Sequence, residues 1–256
     1  MTPHGIAPGA PLPECRVRAR NFFRDAANRI HDDAGARQHG YAGALVAGVT
    51  IYGYFSRLVV EAWGAEWLRR GTATVRFVRP VYDGDFLTLS GRIVGRSGRP
   101  EAGEVLAEIE ARGPRGEVAA SMTAGLAWGG PVIAPDPRGY PAAPLPGSPP
   151  PAMAETLASL GPLGAPALLL DAPVLAQAAE DLEDPSPSYR GPGAVAHPGL
   201  LLRQANRALS ENVALGPWIH VSSDVANCDL ARAGDRLETR GQIGRASCRE
   251  RVYVLV

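Results

Sequence analysis

Between positions 25 and 33 the chain sets Asp25, Asn28, His31, Asp32 and Asp33 close together. A histidine titrates near neutral pH, and with a carboxylate in reach it can move protons in both directions. Gly40 and Gly43 follow, and then a long apolar helix begins, so this chemistry sits at a helix N-terminus. The positive end of a helix dipole is where an anionic intermediate is stabilised. Each residue also has a plainer reading. His31 could be a loop imidazole bonded to a neighbouring carbonyl, and Asn28 a turn residue. Asp32 and Asp33 could cap a short helix from Ala34 to His39, and Asp25 could be a solvated loop carboxylate. His31 is the first choice for catalysis. His39, His197 and His220 read as structural.

The helix that must position these groups is apolar almost all round. Leu45, Val46, Val49, Ile51, Tyr52, Phe55, Leu58, Val59 and Val60 cover every face, so it has to be wrapped on most sides. Arg57 and Glu61 interrupt the run before it is long enough to cross a membrane. Tyr52 and Tyr54 read as core aromatics first and tunnel lining second. Around the helix, period-2 alternation predicts strands at Cys15 to Phe23, Thr72 to Val78, Phe86 to Val94, Glu104 to Ala111 and Val118 to Trp128, with Gly-rich turns between the later ones. A helix buried by so few strands needs the sheet curled around it. The fold class is therefore α+β, an antiparallel sheet around a central helix.

A second unit follows. The segment Gly84 to Ile93 recurs 150 residues later at Gly234 to Ile243, matching at Gly84/Gly234, Asp85/Asp235, Leu87/Leu237, Gly91/Gly241 and Ile93/Ile243. A helix at His197 to Val213 precedes it, and Ile219 to Val225 is a candidate strand. The expected organisation is a loose lead-in at 1–14, a first unit at 15–128, and a Pro/Gly-rich linker at 129–151. A second copy of the same supersecondary unit follows at 152–242, then a tail at 243–256. Ile243 to Val252 reads like the translation of a sequencing adapter, which predicts a non-native tail and a truncated second copy. The alternative is a divergent C-terminus whose last residues pair as a final strand.

Composition narrows the class. The chain has 256 residues, 45% hydrophobic and 20% charged, with formal net charge +0. That balance disfavours nucleic acid or an anionic membrane surface as partner. Every basic residue is Arg and none is Lys, which reflects coding bias. Cys15, Cys228 and Cys248 are too few and too scattered for a disulfide framework or a metal site. No signal peptide is apparent at the N-terminus, so a cytoplasmic location is expected.

The motifs Asn28-x-Ile30-His31 and Arg76-Phe77-x-x-Pro80-Val81-x-x-Gly84-Asp85 resemble the hotdog fold. More narrowly they look like the MaoC-like acyl dehydratases and (R)-specific enoyl-CoA hydratases in their double-hotdog form. Asp33, Ala36, Gly40 and Gly48 also fit. The resemblance implies water addition to, or removal from, an acyl thioester carried by coenzyme A or acyl carrier protein, with no other cofactor and no metal. It implies His31, Asn28 and Asp25 as the catalytic set, with Gly48 and Asp33 in oxyanion and substrate binding. The implied partners are a small acyl thioester and the pairing of the two copies within the chain, with a homodimer as a further option. One departure stands out. The family's acid falls at Ala26 and its proline at Arg29, while Asp25 lies one residue early. A hotdog thioesterase and a non-catalytic acyl-binding subunit therefore stay open beside the hydratase.

Overall fold

The computed structural model describes residues 7–24, 28–99, 101–243 and, for their backbone, 251–255. Elements in chain order are β1 (Cys15–Arg18), α1 (Asp33–Gln38), α2 (Gly48–Trp63), α3 (Ala65–Arg70), β2 (Gly71–Phe77), β3 (Phe86–Gly98), β4 (Gly103–Arg112) and β5 (Val118–Trp128). Then come α4 (Ala154–Ser159), β6 (Pro162–Leu163), β7 (Leu168–Leu169), α5 (Ala172–Asp181), α6 (Pro198–Asn212), β8 (Ser222–Ala226), β9 (Arg236–Gln242) and β10 (Arg251–Leu255). None of the helices among the described residues is long and apolar enough to cross a membrane.

α2 is the expected central helix, with twelve of its 16 residues buried. It ends at Gly64, whose φ of 66° is open to glycine but strained for other residues. The sheet β1-β3-β4-β5-β2-β8 wraps it, antiparallel throughout. Strict alternation on β4 explains the wrapping: Val105, Ala107, Ile109 and Ala111 are buried against the helix, while the glutamates between them face out or sit half-covered.

The two copies meet along β2 and β8, and the register there is self-reciprocal. Thr74 pairs with Asp224, Ala73 with Val225 and Val75 with Ser223. Thr74 and Asp224 are themselves 150 apart, so a pseudo-twofold axis passes between them, where the Thr74 hydroxyl donates to Asp224 Oδ1 at 2.8 Å. Matching details repeat on both sides. Asp85 Oδ2 accepts the Tyr82 N–H at 2.9 Å, and Asp235 Oδ2 accepts the Arg232 N–H at 2.7 Å. Gly84 and Gly234 follow at φ of 91° and 97°. Leu45 bridges Tyr82, and Val195 bridges Arg232.

Two expectations change. β1 stops at Arg18 rather than Phe23, because from Ala19 the backbone turns to other partners, including the Tyr54 hydroxyl at Arg20 and Asp83 Oδ1 at Asn21. The lead-in is not loose over residues 7–14. Gly9 and Leu12 donate to the Ile93 and Gly91 carbonyls at 2.8 Å, and Leu12 is buried where Gly91 leaves room for it. At the other end, residues 244–250 of the adapter-like run and residue 256 lie outside the described residues. The backbone of 251–255 pairs antiparallel with β9, on the side β4 takes against β3.

α2 and α6 cross closely at two glycines. A Cβ on Gly199 would come 3.3 Å from the Gly53 Cα, and one on Gly53 would come 2.7 Å from Leu182 Cδ2. Gly53→Leu should therefore cost about 1–3 kcal/mol by overpacking. Chemical denaturation reads this directly, and a midpoint unchanged from wild type would mean that Leu182 does not pack against Gly53.

Candidate active site

The site is assembled on the stretch leading into α2. Asn28 caps a 3₁₀ turn, Arg29–His31, by accepting the Ile30 N–H, and the turn is tied to the helix entry through Leu45 N–H and the Ile30 carbonyl (3.1 Å). Val46 N–H bonds the Val81 carbonyl at 2.8 Å, fixing the helix start against the loop after β2. Asn21 Nδ2 donates to the His31 carbonyl at 2.7 Å and holds the turn from the other side.

His31 is half-buried, and its Nδ1 lies 2.8 Å from the Leu45 carbonyl. A carbonyl only accepts, so Nδ1 carries the proton and Nε2 keeps its lone pair. Burial lowers the His31 pKa, with the Leu45 hydrogen bond opposing, so the ring is a neutral base at physiological pH. It lines a pocket of about 230 Å³ walled chiefly by Ile51, Phe77, Pro80, Val81 and Ile219.

The other expected residues fare differently. Asn28 lines the pocket, but its amide is used: Nδ2 donates to the Trp218 carbonyl at 2.9 Å and Oδ1 accepts the Trp218 N–H at 3.4 Å. It clamps the second copy to the His31 turn. Gly48 is the first residue of α2 and lines the pocket, so its N–H has no carbonyl one turn earlier to bond. A Cβ at Gly48 would lie 2.8 Å from the Phe77 ring, so the glycine makes room for Phe77 as well. Asp33 is a correction. Its side chain is exposed, its Oδ1 accepts the Ala44 N–H at 2.9 Å, and it lies away from the pocket lining. Asp32, not Asp33, caps α1, accepting the Gly35 N–H at 2.7 Å. Asp25 lies outside the described residues. Among the described residues, no cluster of His, Cys, Asp and Glu could hold a metal ion.

The second copy supplies pocket residues that the sequence did not single out. Asn206 of α6, Trp218 and His220 line it. His220 packs edge-on against Phe77 with centroids 5.0 Å apart, and its Nε2–H is shared by the Ser222 carbonyl (3.1 Å) and Ser223 Oγ (2.7 Å). Burial pushes its pKa down to about 4. No periodicity marks these residues, because they belong to the site only through the β2–β8 pairing.

Across the pseudo-twofold, the counterpart of the site is filled. Ser186 caps a second 3₁₀ turn, Pro187–Tyr189, as Asn28 caps the first, and Tyr189 stands where His31 stands. Asp184 precedes its cap by two residues, the spacing at which the first copy has Ala26. His197 caps α6 with Nδ1 accepting the Gly199 N–H at 3.1 Å, so Nε2–H faces Asp184 Oδ2 at 3.3 Å. Tyr189, His197 and Tyr52 are all buried there, the Tyr189 and His197 rings with centroids 4.5 Å apart, and the Tyr52 and Tyr189 hydroxyls have no partner among the described residues.

No protein-family model matches the sequence, and no curated protein does. Solved structures do match its shape. A Chloroflexus aurantiacus protein described as a MaoC-domain dehydratase superposes with a TM-score of 0.66 at 13% identity, covering 93% of this chain and 80% of that one. A MaoC-like dehydratase gives 0.62 at 14%, covering 96% of each. A conserved Mycobacterium tuberculosis protein with a double hotdog fold gives 0.58 at 18%, covering 93% and 84%. The fold is the double hotdog shared by MaoC-like dehydratases.

Three imidazoles held neutral, His197 buried and His31 and His220 half-buried, set a pH dependence. His31, His197 and His220 all have folded pKa values below the ordinary 6.5, burial being the leading cause in each. Below 6.5 the unfolded chain therefore binds more protons, and stability falls as pH drops, for His220 down to about 4. Burial alone would raise the Asp184 pKa, but hydrogen bonds from His197 and the Ser186 N–H hold it below 3.8. Its contribution is lost at still lower pH. Thermal melts should give a Tm that declines steadily from pH 6.5 to 4, and less steeply in His220→Gln. A flat Tm over that range would contradict the neutral, buried state of these rings.

Proposed function

We propose that the chain is a hydratase or dehydratase of acyl thioesters, interconverting a 2-enoyl and a 3-hydroxyacyl thioester. The observation that carries this reading is His31, with its proton anchored on the Leu45 carbonyl and Nε2 bare in an apolar pocket at the start of α2. In hydration, Nε2 takes a proton from water as the water oxygen bonds the β-carbon. The C=C electrons move toward the thioester carbonyl, and the imidazolium then returns the proton to the α-carbon. Proton transfer of this kind is worth roughly 10² to 10⁴ in rate. The developing enolate oxygen would lie at the N-terminus of α2, near the Gly48 N–H, where charge is stabilised by unpaired amides. Apolar walls suit the acyl chain, and exposed Arg79, also on the lining, suits the phosphate of a coenzyme A or carrier-protein arm.

A second reading is an acyl-thioester-binding protein without turnover. It is favoured by one observation: among the described residues no carboxylate lines the pocket, and Ala26 stands at the acid position.

Incubation with crotonyl-CoA separates the outcomes. Loss of enoyl absorbance is the expected result, release of free thiol would mark a thioesterase, and binding without change would mark the second reading. His31→Ala should lower turnover at least about 10²-fold with the melting curve nearly unchanged, since the ring adds little to the core. A variant that keeps most of the wild-type rate would remove His31 from the mechanism. Ala26→Asp, which restores the acid spacing, should raise the rate, and an equal or lower rate would show that the pocket works without a carboxylate.

A further inference from the structure

Asn206 is set apart by what its side chain leaves undone. The chain has five asparagines. Four donate their amide to a backbone carbonyl: Asn21 to His31, Asn28 to Trp218, Asn212 to Gly164 and Asn227 to Trp67, at 2.6 to 2.9 Å. Gln204, on the same helix, donates to the Leu200 carbonyl. The Asn206 carboxamide bonds no group among the described residues, although it is half-buried and lines the pocket that holds His31. Asparagine within a helix costs propensity relative to Ala or Leu, either of which would suit an apolar wall. The equivalent residue of the first copy, Ser56, spends its hydroxyl on the Gly53 carbonyl at 2.8 Å. A free carboxamide kept at this point suits a ligand that hydrogen-bonds.

We propose that Asn206 is the second catalytic group of the pocket, holding the reacting water jointly with His31. Its Oδ1 accepts one water hydrogen while His31 Nε2 accepts the other, which turns an oxygen lone pair toward the β-carbon. The balance closes without a carboxylic acid. The hydrogen held by Asn206 stays on the oxygen and becomes that of the 3-hydroxyl, and the proton taken by His31 ends on the α-carbon. In dehydration the same carboxamide orients the departing hydroxyl. The second copy thus completes a site whose first copy carries Ala26 in place of the acid. This inference rests on the hydratase reading above. A carboxamide does not titrate, so among the described residues of the lining His31, and His220 at about pH 4, shape the acid side of the rate profile.

The test compares wild type, Asn206→Ala and Asn206→Asp on crotonyl-CoA across pH, each with a melting curve. Asn206→Ala should lose about 10²-fold in kcat with little change in KM. Asn206→Asp keeps an acceptor oxygen and should retain turnover, but with one more ionisation on the acid side than the His31 and His220 of wild type give. Wild-type turnover matched by Asn206→Ala overturns this inference alone, while a wild type that never hydrates the enoyl thioester overturns the hydratase reading with it. If Asn206→Ala fails to fold, Asn206→Asp decides, and a profile superposable on wild type overturns the proposal.

Discussion

A helix whose Ile51, Tyr52, Tyr54, Phe55, Leu58 and Val59 are all buried offers water no polar face, so it must be enclosed before it is stable. Four long strands of one copy curl around α2 but leave a side open, and α6 of the second copy closes it. The glycines that let the two helices touch, Gly53 and Gly199, are the local cost of that enclosure. Even Arg57, which breaks the apolar run, reaches the second copy by donating to the Glu183 carbonyl at 3.2 Å. Pairing of the copies is thus a consequence of burying one helix, and the reciprocal β2–β8 register is how the sheet accommodates it.

The pairing is symmetric and the chemistry is not. Both copies place a capped 3₁₀ turn against the start of a central helix, yet one turn ends in His31 beside a pocket and the other in Tyr189 inside a packed cluster. The second copy carries a carboxylate, Asp184, two residues before its cap, and the first carries a histidine, His31, at the end of its turn. Asp184 is engaged with His197 and the Ser186 N–H, and its environment is closed. A buried carboxylate–imidazole pair of this kind is destabilising to break, because either partner alone would be left uncompensated. The second copy therefore reads as the rigid half, lending walls and polar groups to the open site.

How much of this was legible in the sequence depended on whether the signal was local. α2 was legible because apolar residues on every helical face admit one solution, and β4 because its alternation is strict over ten residues. The repeat at Gly84 and Gly234 was legible because a positive-φ glycine followed by an aspartate that binds its own turn is written in adjacent residues. Residues 7–14 were misread because Pro and Gly dominate their composition, while what orders them is backbone bonding of Gly9 and Leu12 to β3 and the packing of Leu12 over a distant glycine. Asp33 was misread because a carboxylate beside a helix start looks like a cap, and only the fold brings the Ala44 N–H to it. Asn206 and His220 carried no local signal at all. A mid-helix asparagine and a loop histidine become site residues only when a strand 150 positions away pairs with their own.

Within the pocket, the tautomer of one ring decides what the rest can do. Had His31 Nδ1 been the free nitrogen, its proton would sit on Nε2 and the pocket would present a donor to an incoming water. The Leu45 carbonyl prevents this, and that carbonyl is itself fixed, since Leu45 bridges Tyr82 and its N–H bonds Ile30 in the His31 turn. The same few hydrogen bonds thus start the helix, close the turn and set the ring's basic side. The Trp218 clamp by Asn28 then draws the second copy's loop over the same pocket, so that the elements enclosing α2 also enclose the base. Burial that wraps the helix and burial that keeps His31 neutral come from one arrangement, and loosening either would loosen the other.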